Sequence, residues 1–118
     1  MARVNITPTQ ITRNGVADPA GVVGTVDGIM FDNGGTTFLQ VANAAGASRT
    51  ITFVTPGQVG DRDISDLDVV IPASTTRKIG PFPPDLYNRP AGGTDPGKVY
   101  ANFQSGQEAS FTVQILKI

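Results

Sequence analysis

The side chains of this 118-residue chain that could do chemistry are few, and nearly all of them are oxygen groups. Asp61, Asp63, Ser65, Asp66 and Asp68 alternate in one polar stretch, the way a calcium loop spaces its ligands. Counted from Asp61, however, the sixth position is Asp66, where such a loop needs Gly for its sharp turn. The twelfth is Pro72, where it needs a bidentate Glu. Arg62 also stands among the carboxylates. A solvated acidic loop is therefore expected, and no metal site. Ser48, Ser65, Ser74, Ser105 and Ser110 have no His to take a proton, because the chain contains none. Nothing in the spacing sets Lys78, Lys98 or Lys117 beside one of them. Cys is absent too, which excludes disulfides and thiolate chemistry. Gly34-Gly35 and Gly92-Gly93 lack the strand-and-helix context of a phosphate loop and read as turn glycines. The expectation is a protein without catalytic residues and without a cofactor.

Charge points the same way. Nine Lys and Arg stand against ten Asp and Glu, a net of −1. A near-neutral chain carries no electrostatic footprint for nucleic acid or for an anionic membrane surface. No run approaches the roughly 18 apolar residues of a membrane span. The opening Met1-Ala2-Arg3-Val4-Asn5 lacks a basic segment followed by an apolar one, so no secretory leader is expected. The lack of Cys fits folding in a reducing cytosol.

The elements that position these groups must be strands. Gly 14 and Pro 9 make a fifth of the chain, and both break helix interiors. Val, Ile and Thr are abundant, and short alternating runs recur, each closed by turn residues. The expected fold is all-β: an antiparallel β-sandwich, jelly-roll-like or Ig-like. One domain over 21–118 is preceded by an extended arm or first strand within 1–20. Residues 22–31 read as a strand broken by Gly24 and Gly28, and Asp32-Asn33-Gly34-Gly35 as a turn. Residues 36–43 and 49–55 read as the best hairpin, with Ile51 and Phe53 on one face. In the acidic stretch Val59, Ile64 and Leu67 are the core candidates. Residues 69–71 and 75–79 follow as short strands around Pro72-Ala73-Ser74. The last two strands are 98–103, with Val99, Ala101 and Phe103 on one face, and 110–117, with Phe111, Val113 and Ile115 on one face.

Residues 80–97 hold too much Pro and Gly for a strand and read as a long ordered loop, a length that in compact domains usually carries function. Phe82, Pro83, Pro84, Leu86, Tyr87 and Arg89 concentrate apolar, aromatic and cationic groups on backbone with little entropy left to lose. That is the make-up of an interface anchor. The alternative is that Phe82, Leu86 and Tyr87 fold back to cap the sandwich. The N-terminal segment, with Val4 and Ile6, is the second candidate contact.

Three segments carry a family resemblance: DNGGTTFLQVANAAGASRTITFVTPG (32–57), DLDVVIPASTTRKIGPFPPDLYN (66–88) and KVYANFQSG (98–106). The chain resembles the head decoration proteins of tailed bacteriophages, also described as cement or minor capsid proteins. The most specific elements are Ile71-Pro72-Ala73 and Ile79-Gly80-Pro81-Phe82-Pro83-Pro84. The resemblance spans about residues 30–118. It implies a β-rich structural subunit, made in the host bacterial cytoplasm and carried on the virion. Such a subunit binds the major capsid protein on the outer capsid surface, often as a homo-oligomeric trimer, and stabilises contacts between capsid subunits. Competing readings are a head–tail connector or tail protein, a carbohydrate-binding module with Phe82, Tyr87 and Tyr100 as its platform, and a small hydrolase.

Overall fold

The computed structural model describes residues 3–118 apart from 57, 60, 64, 91 and 94. Twelve strands form in chain order: β1 (Val4–Ile6), β2 (Thr9–Gln10), β3 (Val22–Val23), β4 (Ile29–Asp32), β5 (Thr37–Asn43), β6 (Arg49–Phe53), β7 (Gln58–Val59), β8 (Arg62–Asp63), β9 (Leu67–Ile71), β10 (Thr76–Ile79), β11 (Lys98–Phe103) and β12 (Phe111–Lys117). One helical turn, α1 (Pro84–Tyr87), interrupts the 80–97 loop. The first sheet runs β1-β4-β11-β6-β9. The second runs β10-β5-β12, with β2 and β3 both on the far edge of β12. β7 and β8 make a separate two-stranded ribbon.

Period-two alternation builds the core between the sheets. Ile29 and Phe31, Leu39 and Val41, Ile51 and Phe53, Val99 and Ala101, Phe111 and Val113 are all fully buried. Each of these side chains except that of Ala101 contributes roughly 1.5–3 kcal/mol by leaving water. The inward faces expected for β6, β11 and β12 are those observed.

Connectivity departs from the expected hairpin. β5 pairs with β10 and β12, whereas β6 pairs with β9 and β11, so residues 36–43 and 49–55 lie on opposite sheets. The same holds for β4 and β5, for β9 and β10, and for β11 and β12. These connections are arches that cross the sandwich. Turn residues mark where the chain reverses, but they do not say whether the next strand returns beside the last or across from it.

Two asparagines fix the arches at either end of β5. Asn43 is buried; its Nδ2 donates to the carbonyls of Ala47 and Ile71, both at 3.0 Å, and its Oδ1 accepts from Ala45 N at 3.0 Å. Asn33 repeats the local turn, its Oδ1 accepting from Gly35 N at 3.0 Å. Its Nδ2 reaches the 80–97 loop, donating to Phe82 O at 3.0 Å and to Asn88 Oδ1 at 2.7 Å. A buried amide with its donors and acceptor engaged specifies one path for the chain.

The N-terminal segment is a strand that changes sheets. β1 lies parallel to β4, and β2 lies parallel to β12, so the two sheets are mixed and not purely antiparallel. Pro8 is buried at the crossing. On the opposite side β9 and β10 make the equivalent crossing through Pro72. In the acidic stretch Leu67 is exposed and not core, Ile64 lies outside the described residues, and so do the side chains of Val59 and Asp63.

Candidate functional site

The 80–97 loop divides between core and surface. Phe82 is 2% exposed, its ring centroid 4.8 Å from Phe53 and 5.8 Å from Phe31. Tyr87 packs edge-on against it at 5.3 Å. Phe82 is therefore a core residue and offers no anchor to a partner. Tyr87 and Leu86 are half-buried above it, and the capping alternative describes this part of the loop. Pro83 and Pro84 are exposed, with Pro81, Asp85 and Pro90. Because the N-terminal turn of α1 opens on prolines that lack N–H donors, the turn closes through Tyr87 N to Pro83 O and Asn88 N to Pro84 O, both 3.1 Å.

Arg89 is seated by its backbone. Its N–H donates to Lys98 O at 2.8 Å, and its carbonyl accepts from Gly97 N at 3.0 Å, which holds the loop's exit against the start of β11. Alternation turns Tyr100 to the outer face of the first sheet, since Val99 and Ala101 point inward. The Arg89 guanidinium stands 4.7 Å from the Tyr100 ring centroid. The Arg3 guanidinium stands 4.3 Å from the same ring. Arg3 Nη1 also donates to Ala101 O at 3.1 Å and to Asn102 Oδ1 at 2.6 Å. Gly28, at φ +77°, makes room: a Cβ there would lie 2.4 Å from Arg3 Nη1 and 2.5 Å from Ala101 O.

The two segments singled out in the sequence thus meet on one tyrosine. Val4 and Ile6 share one face of β1: Ile6 is half-buried against the core and anchors the strand, while Val4 is exposed at its start. Beside them Lys98 Nζ pairs with Asp32 Oδ1 at 2.8 Å and donates to Asn5 Oδ1 at 3.1 Å. The Tyr100 hydroxyl donates to Asp95 Oδ2; this bond, then partial burial, raises the phenol's pKa above its ordinary value. Burial in turn lowers the Arg3 pKa, with the Arg89 charge acting in the same direction.

Arg3, Asp95 and Tyr100 were not among the expected contact residues. Tyr100 was legible as an aromatic on the polar face of β11. The arrival of Arg3 was not, because it depends on β1 pairing with β4. The sugar platform of Phe82, Tyr87 and Tyr100 does not form, since Phe82 is buried and the Tyr100 ring lies under two guanidinium groups.

The acidic stretch has a structural use. Asp66 Oδ1 accepts from Thr55 N at 2.9 Å, and Asp68 Oδ1 accepts from Thr52 Oγ1 at 2.7 Å, so both fasten the approach to β9 onto β6. Among the described residues no three carboxylates gather as metal ligands. On the second sheet a mainly apolar cleft of about 260 Å³ lies between Gly35, Phe38, Pro81 and Ile118. Gly80, at φ +128°, crosses Phe38 so closely that a Cβ would sit 2.9 Å from Phe38 Cβ. Comparison with protein families, with curated proteins and with solved structures finds no match to this chain.

Proposed function

We propose that this chain is a non-catalytic structural protein of a bacteriophage virion. It binds the outer capsid surface and stabilises contacts between subunits of the major capsid protein, as a homotrimer. The resemblance of residues 30–118 to head decoration proteins supplies the class. The observation that supports it is the meeting of residues 3–6 and 81–90 on Tyr100: two distant segments joined into one fixed surface. An adhesive subunit needs such a surface, because a contact already ordered before binding loses little entropy when it forms. Many weak contacts repeated over a lattice then hold through effective concentration. In a trimeric ring each copy offers the same patch in the same orientation.

The test is co-sedimentation of the purified chain with empty capsid shells that lack it. Saturable binding at a copy number set by the shell's symmetry is expected. A protein that stays in the supernatant at every concentration contradicts the reading. A protein found only at the portal vertex or tail replaces it with the connector or tail alternative.

A further inference from the structure

We infer that Arg3 and Arg89, stacked on Tyr100, form a receptor for a carboxylate side chain presented by an acidic segment of a partner protein. The inference deepens the adhesive reading and rests on it for the partner's identity.

Four observations carry it. First, two cations converge on one ring, and among the described residues the only ion pair is Lys98 with Asp32. Among the described residues neither guanidinium therefore has a carboxylate within ion-pair distance. Second, Arg89 Nε is buried without a hydrogen-bond partner among the described residues, so this donor has lost water without gaining an acceptor; Arg49 Nε is in the same state, which makes Arg49 the stringent control below. Third, both groups are held in place. The Arg89 main chain is fixed by its bonds to Gly97 and Lys98 and its guanidinium rests on the ring, while Arg3 Nη1 is fixed by Ala101 O and Asn102 Oδ1. The ring that carries both is tethered by Asp95. Fourth, a guanidinium carries five N–H donors; Ala101 O and Asn102 Oδ1 engage only Nη1 of Arg3, and the donors left over match a carboxylate.

The surroundings choose between kinds of anion. Asp27 and Asp95 lie near enough to act on the Arg3 charge, and Asp32 lies beside them on Lys98. A run of phosphodiesters would meet these carboxylates, on a chain whose net charge is −1. A single side-chain carboxylate carries one charge and meets less of this repulsion than a run of phosphodiesters. The partner segment is therefore a protein loop or strand with an exposed Asp or Glu.

The test follows the arginine Nε–H resonances of the intact chain by NMR. The probe is the peptide Gly-Gly-Glu-Gly-Gly blocked at both ends, which carries one carboxylate; inorganic phosphate and an oligothymidylate are separate arms. The peptide is expected to shift Arg3 and Arg89 saturably, while Arg13, Arg49, Arg62 and Arg77 stay fixed. Arg89→Lys, which keeps the charge but loses the planar fork, is expected to bind about tenfold more weakly with its melting temperature held. Equal shifts at all six arginines overturn the inference, as does the absence of saturation. Tighter binding of phosphate or the oligonucleotide than of the peptide also overturns it. Shell binding separates this claim from the one beneath it. If the wild type binds shells and Arg3→Ala/Arg89→Ala binds them equally well, the receptor is wrong and the adhesive reading stands. If the peptide titrates but no shell is bound, the receptor stands and the adhesive reading falls.

Discussion

Asn33 and Asn88 clasp each other across 55 residues of chain. Asn33 Nδ2 donates to Asn88 Oδ1 at 2.7 Å, and Asn88 Nδ2 donates back to the Asn33 carbonyl at 2.8 Å. The clasp ties the arch after β4 to the end of α1, one residue before Arg89. It thereby joins the folding of the sandwich to the placing of the surface cation.

Breaking the clasp is expected to be costly. Asn33→Ala leaves Asn88 Oδ1 and Phe82 O without a donor and is expected to lower stability by about 2–3 kcal/mol. Asn88→Ala loses less, about 1–2 kcal/mol, because Asn88 is only half-buried. Urea unfolding of both single variants and the double gives the coupling. A double variant whose loss equals the sum of the singles would contradict a shared interaction.

Phe82 and Pro84 sit two residues apart and are expected to behave differently. Phe82→Ala opens a hole against Phe31 and Phe53 and is expected to lose about 3–5 kcal/mol. Pro84→Ala, at an exposed position, loses only the stiffness of the unfolded chain, about 0.4–1 kcal/mol. Thermal or urea melts separate the two. Similar losses would place Phe82 outside the core.

The acidic stretch is expected to act through acceptors. Asp66→Ala strands Thr55 N–H and is expected to lose about 1–2 kcal/mol, whereas Asp66→Asn retains an acceptor oxygen and most of the stability. Millimolar calcium is expected to leave the melting temperature of the wild type unchanged. A calcium-dependent rise that disappears in Asp66→Ala would restore the cation-loop reading.

Tyr100 gives a pH dependence with a defined sign. Its pKa is raised in the folded chain, first by the hydrogen bond to Asp95. A raised pKa means that the protonated phenol favours folding. Its contribution is complete below the unfolded value near 10 and is lost as pH rises through the higher folded value. Near-ultraviolet titration of Asp95→Ala is expected to bring this phenol back toward the ordinary value. Coincident curves for wild type and variant would deny the bond.

The strands and their inward faces were legible because period-two alternation records burial directly, as in Val99-Ala101-Phe103 and Phe111-Val113-Ile115. Pairing was not legible. Asn33-Gly34-Gly35 announces a turn, but the buried amides of Asn33 and Asn43 that make the arches find partners some 28 to 55 residues away. The surface site was half legible for the same reason. Arg89 stood out by its neighbours in sequence. Arg3 and Tyr100 become a site only when β1 and β11 flank β4.

The proposed virion role is tested most directly by cryo-electron reconstruction of phage particles assembled with this chain and without it. The expected result is density for the sandwich at symmetry-related positions on the outer shell, its Tyr100 face toward the capsid subunits, and shells that rupture more readily when it is missing. An outer shell identical in the two particles would contradict the central claim.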